Sequence, residues 1–296
     1  MSCRIRAAVL LHFFALASFL HAPAIAESQA SGDDLTLSPS SDWKLRTLDD
    51  KCRLTRTFGE GENETTLWFD QGSTNPIFNL TLIGRPLRNP YGPAIRIKFG
   101  DEEEVIRSYI ASKSSKGRPA LSMFGVTLVQ PAMELEDDAA APEIAIGAER
   151  AAAIQKLRLR NAIREPVTLE LGAMSEPFGL MQGCAQVLEQ RLSLASIQSG
   201  QTSPPKPLNI DEWIRSSDYP DYLVRSEMEG LIDIRLTVAK TGRATSCFVT
   251  KSNKPQLFDD TVCLGVMKRA RFAPARNAKG AAVASYFTLR TRFALQ

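Results

Sequence analysis

The chain has 296 residues, of which 44% are hydrophobic and 23% charged, and its formal net charge at pH 7 is +3. This length is sufficient for two domains, and the near balance of charge argues against a nucleic-acid-binding protein. Both histidines, His12 and His21, lie in the first 26 residues. If that segment is removed, catalytic triads and metal sites that contain histidine are excluded. Catalysis by carboxylates or lysine stays open, but we expect no catalytic residue, metal or cofactor.

The N-terminal segment has the pattern of a secretory signal. Arg4 and Arg6 precede an apolar run that begins at Ala7 and ends with Ala24-Ile25-Ala26. A basic start, an apolar middle and a small-residue exit predict a signal peptide over residues 1–26 and a periplasmic protein. The alternative is an uncleaved inner-membrane anchor facing the periplasm, because the apolar stretch approaches the ~20 residues needed to span a bilayer.

A polar leader and a mostly β domain are predicted next. Residues 27–42, rich in Ser, Asp and Gly, are predicted to be disordered, and residues 43–198 to form a domain of unknown function. Short β-type runs separated by Gly and Pro predict strands at Cys52–Phe58, Thr65–Phe69, Ile77–Leu82, Ala94–Phe99, Leu121–Val129 and Val167–Met174. Apolar spacing predicts helices at 149–160 and 177–194. Together these patterns indicate a small sheet, sandwich or barrel with one or two helices.

Four cysteines remain outside the N-terminal segment: Cys52, Cys184, Cys247 and Cys263. An even number in an oxidising compartment predicts two disulfides, and four cysteines allow three pairings. The predicted layout favours Cys247 with Cys263 and Cys52 with Cys184. The alternative is that all four are buried thiols. The absence of C-x-x-C spacing in the sequence argues against a zinc site.

A polar, Pro-rich stretch at residues 199–208 predicts a linker to a second domain at residues 209–296. Residues 204–296 carry 15 Lys and Arg against 9 Asp and Glu, so this part is basic. Alternation predicts strands at 231–238 and 244–251, joined by a tight turn at Gly242, then a helix at 259–271 and a long strand at 283–295. The fold class is therefore α+β, with a C-terminal β-β-α-β order.

Several residues of this second domain together resemble the TonB C-terminal domain family. They are Tyr219-Pro220, Gly230, Val238, Gly242, Lys251-Ser252, Leu257-Phe258-Asp259 and Arg269-Ala270-Arg271-Phe272-Ala273-Pro274-Ala275. The resemblance covers about residues 206–296. It implies a periplasmic module that binds the TonB-box segment of outer-membrane receptors by strand addition.

The resemblance implies a partner-binding surface along the final strand. An edge strand offers unpaired backbone groups to an extended peptide. The expected surface runs from Tyr286 to Phe293 and includes Tyr286, Thr288, Arg290 and Arg292, with Tyr219 and Pro220 near the receptor. The alternative is that Arg290 and Arg292 only protect an exposed edge from aggregation. The same edge could also pair two copies of the chain as a homodimer.

Three functions remain open from the sequence. The first is a released periplasmic protein that binds a peptide or envelope partner. The second is a membrane-anchored TonB-type energy transducer for receptor-mediated transport, which requires an uncleaved N-terminal segment. The third is an enzyme with its site in the first domain, although no catalytic motif is found there.

Overall fold

The computed structural model describes residues 34–128, 146–198, 201–219, 221–225, 229–252 and 256–293. The predicted signal peptide at residues 1–26 lies outside this range. The first part contains two helices, α1 at Ala148–Ala153 and α2 at Ser175–Gln198. Its strands are β1 Leu35–Leu37, β2 Lys44–Thr47, β3 Cys52–Phe58, β4 Thr65–Gln71, β5 Ile77–Gly84, β6 Ala94–Phe99, β7 Val105–Ser108, β8 Ile110–Lys113, β9 Pro119–Thr127, β10 Lys156–Arg160 and β11 Val167–Glu170.

These strands form two sheets that share one hydrophobic core. One sheet has the order β2-β3-β4-β5-β9-β8 and the other the order β1-β11-β10-β6-β7. Alternate residues of each strand point inward, so that Leu54, Phe69 and Leu80 of the first sheet join Ile97 and Leu159 of the second in the same cluster. The predicted mostly β fold with two helices is confirmed, and its form is a sandwich.

Helix α2 covers the β2–β3 edge of the sandwich and is joined to it covalently. Its Cys184 forms a disulfide with Cys52 on β3, and the two Cα atoms are 6.1 Å apart. Cys52 is fully buried. This pairing agrees with the one favoured from the sequence.

The prediction of a disordered leader over residues 27–42 is wrong for the part that the structure describes. Leu35–Leu37 is a strand that pairs in parallel with β11, and Pro39 forms a bridge with Phe58. Leu37 is buried in the sandwich core. Two leucines spaced two residues apart in a polar segment are enough to hold a short strand once a partner strand is available.

The predicted helix over 149–160 is wrong beyond residue 153. Helix α1 ends at Ala153, and Lys156–Arg160 forms β10, which lies between β11 and β6. Leu157 and Leu159 are buried while Lys156 and Arg158 are exposed, which is the two-residue period of a strand. Ile154 and Leu157 are three positions apart, as on a helix, whereas Leu157 and Leu159 are two apart, as on a strand, and in so short a run the pairing partners decide the structure.

The C-terminal part has the predicted β-β-α-β order with additional short strands. Its main elements are β14 at Gly230–Val238, β15 at Ala244–Ser252, α4 at Gln256–Arg269 and β19 at Ser285–Phe293. The shorter elements are β12 Gln201–Ser203, β13 Lys206–Pro207, α3 Asp221–Arg225, β16 Phe272–Ala273, β17 Ala275–Asn277 and β18 Ala282–Val283. The main strands form one sheet of order β15-β14-β19.

The turn between β14 and β15 requires glycine, as its position in the hairpin predicted. Gly242 has φ +77°. A Cβ atom at this position would lie 2.1 Å from the carbonyl oxygen of Phe272. Both the left-handed backbone and the close approach of β16 exclude a larger side chain.

The predicted linker at 199–208 contains paired strands. Strand β12 pairs with β17, and β13 pairs with β16. Residues Asp33–Gln296 form one compact unit. Whether residues 43–198 and 209–296 fold independently stays a prediction.

Helix α4 packs between the C-terminal sheet and the sandwich. It contacts β14 and β15 on one side and β7 and β9 on the other. Cys263 on the helix forms a disulfide with Cys247 on β15, in agreement with the predicted pairing. Phe124 of β9 joins the hydrophobic cluster of the C-terminal part, with Ile77 and Ile110 packed against it. No helix in the described part of the chain is sufficiently long and apolar to cross a membrane.

A buried ion pair connects α4 to the sandwich. The Arg107 guanidinium on β7 donates to Asp260 on α4, with 2.5 Å between Nη2 and Oδ1, and each side chain is only 1% exposed. Arg107 also donates to the carbonyl of Phe124. The backbone N–H of Ser108 donates to the other oxygen of Asp260 at 3.3 Å. Both carboxylate oxygens of Asp260 are therefore bound by the sandwich.

The neighbouring Asp259 makes stability depend on pH. Burial raises the pKa of Asp259 to about 8, although its hydrogen bond with Ser252 and the charge of Arg107 act in the opposite direction. Its Oδ1 atom has no hydrogen-bond partner among the described residues. The folded protein therefore keeps a proton that the unfolded chain loses near pH 4, and stability falls as the pH rises from about 4 to 8.

We expect Asp259→Asn to remove the contribution of Asp259 to this pH dependence, because asparagine is neutral throughout that range. Burial also raises the pKa of the neighbouring Asp260 to about 7, so Asp260 contributes to the pH dependence of both proteins. Between pH 5 and 8, the free energy of unfolding of the original protein should fall by about 1 kcal/mol per pH unit relative to the variant. Urea unfolding of both proteins across this range measures the difference. Parallel pH profiles would show that Asp259 is ionised in the folded state.

Candidate partner-binding edge

Strand β19 lies at one edge of the C-terminal sheet. It is antiparallel to β14 along its whole length, from Ser285 opposite Val238 to Phe293 opposite Gly230. No described strand pairs with its other side. The long, open final strand predicted from the sequence is therefore present.

The opposite edge of this sheet is closed by the sandwich. The side-chain amide of Asn79 donates to the carbonyl of Cys247 on β15 at 2.8 Å. The side-chain amide of Asn75 donates to the carbonyl of Thr250 at 3.3 Å. These carbonyls are occupied and β15 packs on β5 and β9, so β19 is the open edge of this sheet among the residues that the structure describes.

The structure brings four predicted binding residues to one face of β19. Tyr286, Thr288, Arg290 and Arg292 are opposite Thr237, Arg235, Asp233 and Leu231 of β14. The alternating residues Phe287 and Leu289 instead pack against the hydrophobic cluster under α4. Thus the four side chains all lie on the face that α4 does not cover.

The two arginines are held by acidic side chains of β14 and the residue before it. Arg290 binds Asp233 through two hydrogen bonds of 2.7 Å, and Arg292 is 3.2 Å from Glu229. The hydrogen bond from Arg290 holds the pKa of Asp233 below its usual value. The arginine side chains nevertheless remain 65% and 71% exposed, so both can contact a partner.

The first residues of β19 are covered by the sandwich. The hydroxyl of Tyr286 donates to the carbonyl of Asp49 at 3.1 Å, and the Arg235 guanidinium lies 5.7 Å from the centre of its ring. Desolvation raises the pKa of Tyr286. The accessible part of the edge therefore begins near Thr288, two residues later than predicted.

Asp50 holds the covered end in place and was not singled out from the sequence. Its carboxylate accepts hydrogen bonds from Thr237 at 2.6 Å and Ser246 at 2.5 Å. Arg235 donates to its carbonyl at 2.9 Å. Burial acts to raise the pKa of Asp50, but the hydrogen bonds from Ser246 and Thr237 outweigh it and the pKa is lowered. No local pattern around Asp50 indicates partners almost 200 residues away.

Tyr219 lies on the other side of the sheet. Its ring packs edge-on against Phe258 of α4 at 5.7 Å and adjoins the hydrophobic cluster there. The structure thus separates Tyr219 from the face that carries Tyr286, Thr288, Arg290 and Arg292. Pro220 lies outside the described residues. The described residues contain no cluster of three or more His, Cys, Asp or Glu side chains suited to a metal ion.

Residues 215–295 match the family described as Gram-negative bacterial TonB protein C-terminal. This match confirms the resemblance predicted from the sequence and includes β14, β15, α4 and β19. Domains of this family interact with proteins of the bacterial envelope, such as outer-membrane receptors. No match to the chain was found among curated proteins.

Proposed function

We propose that the protein acts in the bacterial periplasm and binds an extended segment of an envelope protein by strand addition to β19. The main support is the open edge of β19 opposite a closed β15 edge, within residues that match a family of protein-interacting domains. Added strands gain affinity from backbone hydrogen bonds and specificity from alternate side chains. The periplasmic location rests on the predicted signal peptide and on the family match.

The charges of β19 favour an acidic partner segment. Thr288, Arg290 and Arg292 are exposed and project from the same face at every second position. A strand paired with β19 would place alternate side chains beside these residues. We therefore expect the bound segment to carry Asp or Glu at alternate positions opposite Arg290 and Arg292.

Selection from a random nine-residue phage-displayed peptide library tests the proposal. We expect peptides selected by the protein to alternate acidic and other residues, and to slow amide hydrogen exchange in residues 288–293. Arg290→Glu/Arg292→Glu should weaken binding about tenfold for each reversed charge. Calorimetry measures the affinity, and thermal melting verifies that the variant folds.

Lys240→Glu/Lys279→Glu is the matched control, because both lysines are exposed in turns of the same module. This control changes the net charge by the same amount as Arg290→Glu/Arg292→Glu, and its affinity for the selected peptides should stay within twofold of that of the original protein. The proposal is wrong if selected peptides bind both double variants equally, or if their binding leaves exchange in residues 288–293 unchanged.

A further inference from the structure

A cleft with charged and hydroxyl side chains in its lining crosses the outer face of the six-stranded sheet, away from the sandwich core. Its volume is about 650 Å³, and its floor is formed by β3, β4, β5, β9 and β8. Because neighbouring strands are about 4.8 Å apart, the four spacings between these strands give a length of about 19 Å. The cleft is long enough for several linked chemical units.

Two different parts of the chain add to the lining beyond the floor. The end of β8 and the turn between β8 and β9 contribute Lys113, Lys116 and Arg118. The C-terminal module contributes Thr245 and Met267. The cleft thus depends on the packing of the C-terminal module on the sandwich, yet it lies apart from the β19 edge.

The lining carries an excess of positive charge. Five cations, Lys51, Arg53, Lys113, Lys116 and Arg118, face two acids, Glu64 and Asp70, which leaves a net charge of +3 (5 − 2). Asp70 already binds Arg53 and Lys51, and Glu64 already binds Arg118. Lys113 and Lys116 are exposed, and neither has an acidic partner among the residues that the structure describes.

The floor between these charges is rich in hydroxyl groups. Thr66, Thr81, Ser112 and Ser122 line it, and the Thr81 and Ser122 hydroxyl oxygens are 3.0 Å apart. Trp68 lies among them, with the Arg53 guanidinium 3.7 Å from its ring centre. Hydroxyl side chains both donate and accept hydrogen bonds, and tryptophan adds an apolar surface with a polar N–H.

This combination matches a ligand that has many hydroxyl groups as well as negative charge. The floor is a sheet face, whose backbone groups pair within the sheet, so an extended peptide would find side chains there and few backbone partners. We propose that the cleft binds an acidic saccharide. Lys113 and Lys116 bind its carboxylate, phosphate or sulfate groups, and Trp68 and the hydroxyl side chains contact its sugar rings.

Calorimetry on the full protein with defined saccharides tests this proposal. The anionic probes are tetragalacturonate, a muramic-acid-containing disaccharide and a heparin tetrasaccharide, and the neutral probe is chitotetraose. We expect at least one anionic saccharide to bind about tenfold more tightly than chitotetraose. Lys113→Gln/Lys116→Gln should weaken that binding about tenfold or more.

Two controls locate the site. Lys98→Gln/Lys156→Gln removes the same charge from the other sheet and should change the affinity less than twofold. Binding should also change the intrinsic fluorescence of the protein, which has three tryptophans, and Trp68→Phe should abolish that change. Both results would place the saccharide in the cleft.

Three outcomes would overturn the proposal. The first is that no anionic saccharide binds more tightly than chitotetraose. The second is that tetraglutamate binds as tightly as the best saccharide and depends equally on Lys113 and Lys116, which would identify an acidic-peptide site. The third is that the two double lysine variants weaken binding equally, which would indicate a general charge effect.

Discussion

Arg107→Met is expected to lower the free energy of unfolding by about 3–5 kcal/mol, because it leaves Asp260 buried without its cation. Asp260 lies on α4 and Arg107 on β7, and both side chains are 1% exposed. The loss should be smaller at pH 5 than at pH 8, since an isolated buried carboxylate can take up a proton. Urea unfolding at the two pH values measures both effects.

The double variant Arg107→Met/Asp260→Leu distinguishes the cost of an unpaired charge from a loss of packing. Removing both charges avoids the desolvation of an isolated carboxylate, so the double variant should be more stable than Arg107→Met alone. If its destabilisation instead equals the sum of the two single changes, the ion pair contributes nothing beyond the separate side chains.

Cys52→Ala/Cys184→Ala should also have a large effect on stability. The disulfide joins residues separated by 132 positions, and closing so long a loop stabilises the folded state by about 5 kcal/mol in the loop-entropy estimate. Cys247→Ala/Cys263→Ala is the matched comparison: it opens a loop of 16 positions and should cost about 3 kcal/mol. Alanine avoids placing a hydroxyl group at the buried Cys52.

Urea unfolding of both cysteine pairs, with and without reductant, checks these values. Reductant should bring the original protein close to the sum of the two losses and leave a protein lacking all four cysteines unchanged. The prediction fails if Cys52→Ala/Cys184→Ala unfolds at the same urea concentration as the original protein.

The sequence predicts the C-terminal module well because its signals are local. The alternation of Ile232, Ile234, Leu236 and Val238 with polar residues, and the turn glycine Gly242, define β14 and β15 without reference to distant residues. The spacing of Val262, Cys263 and Val266 does the same for α4. The residue periodicity of β14, β15 and α4 and the contacts among these three elements all lie within about 60 residues of the chain.

The elements that were mispredicted or not recognised depend on distant partners. Strand β1 has three residues and is held by β11, more than 130 positions away. Strand β10 has only five residues and follows closely on the alanine-rich run of α1, and it is held by β6 and β11 on either side of it. Short runs of this kind have little intrinsic preference, so tertiary pairing determines their structure.

The sequence predicts the part of the candidate site that depends on local spacing and misses the part that depends on distant contacts. Thr288, Arg290 and Arg292 alternate along one strand, so their common face follows from the two-residue period. The cover over Tyr286 comes from Asp49 and Asp50, whose partners on the C-terminal sheet are about 190 to 240 positions away. No pattern within a single segment indicates that contact.

The closed β15 edge also limits how many copies can join through this sheet. When a strand is added to β19, the opposite edge of the sheet, β15, is already bound by Asn75 and Asn79 of the same chain. If two copies join edge to edge through β19, neither copy retains an open edge in that sheet for a third. Association through this sheet therefore stops at a pair with two-fold symmetry and cannot continue into a fibre.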